Sequence, residues 1–367
     1  MFNKYIFILI YCITISLFSL ACVSLTPHIQ PKKISQNYIW ISASGDSTFG
    51  RHVEKKLLEI EKNKGFEAAI NYPYEKIKHI HLESDITITN LEGAFTNSDN
   101  KYPKEFSFKA NPRFAACLNK GNIDIVNVAN NHIFDYYAKG AYETLKALNS
   151  HNIQYCGGGF NDKDASFKII TKKKIKTAFL GYGQVFSYKY YKKARRDPNY
   201  PVIMKAYHSE IMKKEIQQAF KYADIIVVSI HAGIDYDHYP SDTQKITARL
   251  AIDSGADVVL MHHTHVIQGI EQYKDGIIFY SLGNFSFGGN RFPDDRDSFI
   301  AQIKCTVNGV VDFRIVPIKT HSEMMNFQPF IPEDSFSIKK KIIKRSKPFI
   351  HNKIKFYYGD TYRPDSV

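Results

Sequence analysis

Five short segments carry side chains that bind metals or move protons, and each follows an apolar run of strand length. The plainest is His262-His263-Thr264-His265, after Val258-Val259-Leu260. Three histidines within four residues are hard to explain as packing. His-x-His on an extended loop sets two imidazoles on one side, which suits transition metals. Asn130-Asn131-His132, with Asp135 just beyond, follows Ile125, Val126 and Val128. Two amides and an imidazole at the end of a buried strand need partners. An Asn oxygen ligates metals, and an adjacent His can protonate a leaving oxygen; a turn with an N-cap Asn is the plainer alternative. Ser44-Gly45-Asp46-Ser47, Asn90-Leu91-Glu92-Gly93 and Ile230-His231-Ala232-Gly233 say less alone. A Gly-Asp turn, a surface carboxylate and a hydrogen-bonded edge histidine would account for them.

Taken together the segments offer Asp, Glu, Asn and several His donors. That mixture fits one or two Mn, Zn or Fe ions better than Mg or Ca. Two cations about 4 Å apart on a bridging carboxylate generate hydroxide and clamp a developing oxyanion.

The elements that must present these segments alternate in type. Strand patterns at Tyr38 to Ser44, Asp85 to Thr89, Asp124 to Ala129, Ile153 to Cys156, Lys176 to Leu180, Asp224 to Ile230 and Asp257 to Met261 are interleaved with helix patterns. The helices are expected at His52 to Lys62, Tyr74 to Glu83, Pro112 to Asn119, Lys139 to Asn149, Ser209 to Tyr222 and Thr243 to Ser254. This predicts an α/β fold with a largely parallel sheet, whose ligands sit beyond the carboxyl ends of the strands. Strands at Gly276 to Ser281, Phe299 to Val307 and Val311 to Val316 predict a second sheet packed on the first. A Lys/Tyr-rich insertion spans Tyr188 to Tyr200, and Ser337 to Lys355 is Lys-rich with scattered Ile. The latter reads as a solvated tail, with a membrane-surface amphipathic helix as the alternative.

The chain opens with Lys4 before an apolar run, Tyr5 to Ala21, as in a secretory leader. Phe18-Ser19-Leu20-Ala21-Cys22 is similar to a bacterial lipoprotein cleavage box, with Ser19 where Leu is usual. The expectation is export to the cell envelope, with membrane attachment through lipid on Cys22 or an uncleaved anchor. The predicted layout is a leader over 1–22, a tether over 23–37, one domain over 38–318 and a basic extension over 319–367. Net charge is +13, which suits an anionic polymer or membrane surface. No Arg-rich helix or finger spacing points to nucleic acid. Cys117, Cys156 and Cys305 are too scattered for a disulfide framework and read as core residues.

The order of motifs resembles the CapA proteins, the poly-gamma-glutamate capsule synthesis branch of the calcineurin-like metallophosphoesterases. The resemblance rests on Gly45-Asp46, Asn90-Leu91-Glu92, Asn130-Asn131-His132 with Asp135 and Gly140, His231-Ala232-Gly233, His262-His263-Thr264-His265 and Ser281-Leu282-Gly283-Asn284-Phe285. It spans Ile39 to Gly288. It implies a four-layer α/β/β/α sandwich in which Asp46 and His265 hold one metal, and Asn131, His231 and His263 the other. Glu92 would bridge and His132 would be the general acid. Asn90, Asn130, His262 and Asn284 would shape the pocket. Three departures stand out: Ser47-Thr48 replace the superfamily's Asp-x-His, Ala232 replaces a Trp, and Thr264 a Pro. The implied activity is a metal-dependent hydrolase acting on a phosphoester or an amide-linked polymer. The alternatives are an accessory protein that binds an anionic polymer beside capsule-assembly membrane proteins, and a lipid-anchored module with a vestigial site.

Overall fold

The computed structural model describes residues 37–184, 192, 197–205, 207–289, 293–321 and 326–349. The leader, Cys22 and the tether up to residue 36 lie outside the described residues, as do much of the Lys/Tyr-rich insertion and the end of the chain.

In chain order, the first part comprises β1 (Ile39–Ser47), α1 (His52–Lys64), α2 (Phe66–Asn71), α3 (Lys78–Leu82), β2 (Ile86–Leu91), β3 (Ala94–Phe95) and β4 (Lys109–Ala110). Then come α4 (Ala116–Lys120), β5 (Ile125–Asn127), α5 (Tyr137–Ser150), β6 (Gln154–Cys156), β7 (Gly158–Gly159), β8 (Lys168–Lys172) and β9 (Ile175–Gly183). The rest is β10 (Ile203–Met204), α6 (Ser209–Ala219), β11 (Ile225–His231), α7 (Asp242–Asp253), β12 (Val258–His262), β13 (Ile270–Tyr273), β14 (Gly276–Phe279), β15 (Asp297–Thr306), β16 (Gly309–Lys319) and α8 (Phe336–Ser346).

Two six-stranded sheets result, ordered β16-β15-β1-β2-β5-β6 and β13-β14-β12-β11-β9-β8. Their central strands run parallel and their hairpins β15–β16, β13–β14 and β8–β9 antiparallel. The layering follows from period-two alternation in strands apolar on both faces. On β11, Ile225 and Val227 face the core between the sheets, while Ile226, Val228 and Ile230 face the helices α6 and α7. β12 divides likewise, Val258 and Leu260 inward, Val259 and Met261 outward. On the first sheet Ile125 joins the inter-sheet core and Val126 packs with α1 and α5. Three cores therefore separate four layers, the expected α/β/β/α sandwich.

Three expectations change. Of the strands expected at the strand-rich end only β14 joins the second sheet, whose other strands come mostly from the middle of the chain. β15 and β16 instead complete the first sheet, because Phe299, Ala301, Ile303 and Cys305 present an inward face in register with β1. β1 runs through Gly45 and Asp46 to Ser47 instead of stopping at Ser44. And the Lys-rich segment expected to be a solvated tail forms α8, which docks through buried Ile338 and Ile342 in the inter-sheet core. Lys340, Ile343 and Lys344 face outward, while Ile338 and Ile342 lie about one helical turn apart and bury one stripe. The three cysteines are buried free thiols, as expected.

Candidate metal centre

The carboxyl ends of strands from both sheets meet at one place. Asp46 on β1 is in register with Asn90 on β2, and His231 on β11 with His262 on β12. The loop after β14 bridges back, pairing Asn284 with Asp46. A register shift between Ala43 and Asp46 turns the carboxylate toward the seam. Gly45 is required there for space, since a Cβ would overlap the carbonyl oxygen of Gly283. The Asp46 N–H donates to that same oxygen at 3.0 Å.

Amides organise the donors. Asn90 Nδ2 donates to Asp46 Oδ1 at 2.8 Å and lies 3.1 Å from His231 Nδ1. His231 Nε2 is 2.9 Å from Asn131 Oδ1, so the imidazole donates and the amide oxygen accepts. Asn130 Nδ2 donates to the Leu91 carbonyl at 2.7 Å, and its Oδ1 receives the His132 N–H at 3.1 Å. The His263 N–H donates to Asp46 Oδ2 at 3.1 Å, and His265 Nδ1 to Asn284 Oδ1 at 2.9 Å. His263 and His265 both have positive φ, 101° and 59°. A non-glycine residue at the former angle is strained, a cost found where a site fixes side-chain direction.

Glu92 is fully buried, and among the described residues neither of its carboxylate oxygens has a hydrogen-bond partner. Its Oε1 lies 3.6 Å from His231 Nε2, 3.7 Å from His132 Nε2 and 4.0 Å from His265 Nε2. Two donor groups share it: Asp46, Glu92 and His231, and Glu92, His263 and His265. An orphaned buried carboxylate surrounded by imidazoles is costly without a cation. The donor set therefore fits divalent metal ions. The grouping exchanges His231 and His265 relative to the division that the resemblance implied. His262 is buried too, its Nδ1 3.5 Å from Asp46 Oδ1, and among the described residues neither ring nitrogen makes a hydrogen bond.

The protonation pattern follows from burial. Burial, then the charges of Asp46 and Asp235, push the Glu92 carboxyl well above its ordinary range. Burial also pushes Asp46 up, but attraction to His262, His231 and His265 outweighs it and holds the group well below that range. Burial and neighbouring imidazoles push His231 well down, and bring His263 down to about 4. Neutral imidazoles beside an ionised Asp46 are the protonation states that ligate metals.

His132 stands at the mouth. Its Nδ1 is 2.7 Å from Asp135 Oδ2, which also receives the Phe108 N–H at 2.6 Å. Burial lowers the imidazole's pKa, and Asp135 partly restores it. Lys104 ion-pairs with Asp135 and donates to the Asn131 carbonyl at 3.0 Å. Asp135 was visible in the sequence, three residues after His132, but its orienting part was not read from it. Asp235, with Oδ1 3.3 Å from His263 Nε2, was missed, as were Lys104 and Arg51. The only signal for Asp235 was its place on the loop after His231. A cleft of about 810 Å³ opens over Asn131, His132 and His265.

The family described as "Bacterial capsule synthesis protein PGA_cap" matches residues 40–289. This chain belongs to that family. It is 32% identical to the PGA biosynthesis protein CapA of Bacillus subtilis over 94% of its own length and 86% of the relative's. Identity to the capsule biosynthesis protein CapA of Bacillus anthracis is 30%, over 86% of this chain and 76% of that one. Among solved structures, the calcineurin-like phosphoesterase YfkN from Bacillus subtilis aligns at 14% identity and a TM-score of 0.44, over 76% of this chain and 90% of that one. In this CapA-family capsule biosynthesis protein the four layers carry acid, amide and imidazole donors together at the strand ends.

Proposed function

We propose that this CapA-family chain is a metal-dependent hydrolase of the cell envelope, acting on a phosphoester or an amide-linked anionic polymer. The observation that carries the reading is Glu92, buried, without a hydrogen-bond partner among the described residues and shared by both donor groups. Asp46, Glu92, Asn131, His231, His263 and His265 would hold one or two Mn, Zn or Fe ions. When bound, such ions supply Lewis acidity and an activated water. The chain's own part is to position and to move a proton. Donation from His132 Nδ1 to Asp135 leaves Nε2 turned toward Glu92 and the cleft, free to take up a second proton, and the imidazolium so formed, held by Asp135, would pass that proton to a leaving oxygen or nitrogen. Asn90 and Asn130 hold Asp46 and the His132 backbone in place, and Asn284 holds His265.

The test is hydrolysis of a chromogenic phosphodiester and of an oligo-glutamate with added Mn. His132→Ala and Asn131→Ala should each lower the rate about a hundredfold or more. Unchanged rates in both variants would remove the site from the reaction.

A second reading is a polymer-binding accessory of capsule assembly, working with membrane proteins of that machinery. What favours it is Thr48, buried where the superfamily carries a His, with Oγ1 accepting from the Gly50 N–H at 3.3 Å. That reading expects retention on an anionic polymer that falls with salt, survives EDTA and comes without hydrolysis. For location, we propose export and tethering through Cys22. Replacing Cys22 with Ser should release the protein from the membrane fraction, and continued membrane association would reject the lipid anchor.

A further inference from the structure

Arg51 sits between β1 and α1 with φ 52° and ψ −114°, a backbone conformation strained for any residue but glycine. Its guanidinium lies over the rings of Phe106 and Phe108, at 5.4 and 5.9 Å from their centroids. Nη1 is shielded from water and, among the described residues, meets no acceptor. A shielded guanidinium nitrogen without an acceptor costs free energy, as does the backbone strain beneath it. The side chain nonetheless lines the same cleft as Asn131, His132 and His265. Phe108 links the two places, since its ring centroid is 4.0 Å from that of His132.

We propose that Arg51 recognises an oxyanion of the substrate, a carboxylate or phosphate group one aromatic ring away from His132. A guanidinium pairs with an oxygen of either group through the N–H groups it turns toward the cleft, and the two phenyl rings lie against it. Arg51 thereby selects anionic substrates for the cleft. This rests on the reading of the cleft as the substrate site. It names what the hydrolase, or the accessory, would hold there.

The experiment uses the full chain with and without Mn. Binding of an oligo-glutamate, an oligo-glutamine of equal length and inorganic phosphate is followed by calorimetry, and Mn content by elemental analysis. The wild type should bind oligo-glutamate or phosphate and not oligo-glutamine; whichever binds identifies the carboxylate or phosphate source. Arg51→Gly should weaken that binding about tenfold or more, with Arg51→Lys intermediate. Mn content should not change, and Tm should not fall in Arg51→Gly, because glycine relaxes the positive φ. Equal anion affinity in Arg51→Gly and wild type, or no anion binding by the wild type, overturns the proposal. If Arg51→Gly fails to fold, an undiminished affinity in Arg51→Lys overturns it. Absence of Mn from every protein would instead defeat the metal centre, and the oligo-glutamate and phosphate arms would still decide the part played by Arg51.

Discussion

Glu92 decides which of two protein states exists. Without metal, burial keeps its carboxyl protonated far above the usual range. A raised folded-state pKa contributes stability that is complete below the unfolded value and is lost as pH rises through the folded value. The metal-free protein should therefore lose stability as pH climbs above the ordinary Glu range, and Glu92→Gln should flatten that slope. Glu92→Gln should also abolish Mn uptake while leaving the metal-free Tm unchanged or higher. Denaturation at several pH values and elemental analysis check both. Asp135→Asn tests the neighbouring pair: it removes the acceptor that orients His132. Mn content should persist and the rate should fall about tenfold or more; an unchanged rate and pH profile would show that the pair is only structural. At this scale the sequence was informative where polar types were out of place, as in the three histidines of 262–265. It was silent on Asp235 and Arg51, whose types are ordinary in loops and whose meaning comes from what folds over them.

Among the elements, α8 and α3 carry consequences away from the site. α8 fastens the inter-sheet core with Ile338 and Ile342, and Arg345 Nη1 donates to the Ile267 carbonyl at 2.5 Å. Ile342→Ala should destabilise by about 2–5 kcal/mol, read from chemical denaturation. A loss below half a kcal/mol would mean α8 is a dispensable appendage. In α3, His81 is fully buried, its Nδ1 donating to the Gly121 carbonyl at 2.8 Å, and burial brings its pKa down to about 4. A depressed pKa contributes stability present above the unfolded value of about 6.5 and lost as pH falls toward 4. The loss is on the order of 3 kcal/mol, and His81→Gln should remove it from the acid limb of the stability profile. β11 and β12 were legible because a continuous Val/Ile run of strand length must be covered on both faces, which places it in the middle of a layered sheet. The short α2 was missed and β8 was not expected. α2 is six residues long, and β8 alternates exposed and half-buried positions with little apolar signal. The partner sheet of β15 was misjudged for another reason: alternation shows that a strand has an inner face, not which strand lies beside it.

Over the whole molecule, the candidate centre lies on the seam between the two sheets, so a metal bound there would be coupled to sheet docking. Mn at a hundred times its dissociation constant should raise stability by about 2.7 kcal/mol. EDTA should abolish the rise, and Glu92→Gln should show none; equal Tm values with Mn and with EDTA would argue against a metal centre altogether. The net charge of +13 belongs to this scale as well, and any polyanion binding that it drives should weaken with salt.

The place of β1 sets a timetable. The first described strand is an interior one, hydrogen-bonded on one side to β2 and on the other to β15, whose residues begin at Asp297. During synthesis, therefore, β1 keeps an open edge until most of the chain has left the ribosome. No shorter nascent chain can cover this edge of β1 and complete the first sheet. Until then the unpaired edge of β1 invites mispairing, and a chain truncated before Asp297 should aggregate.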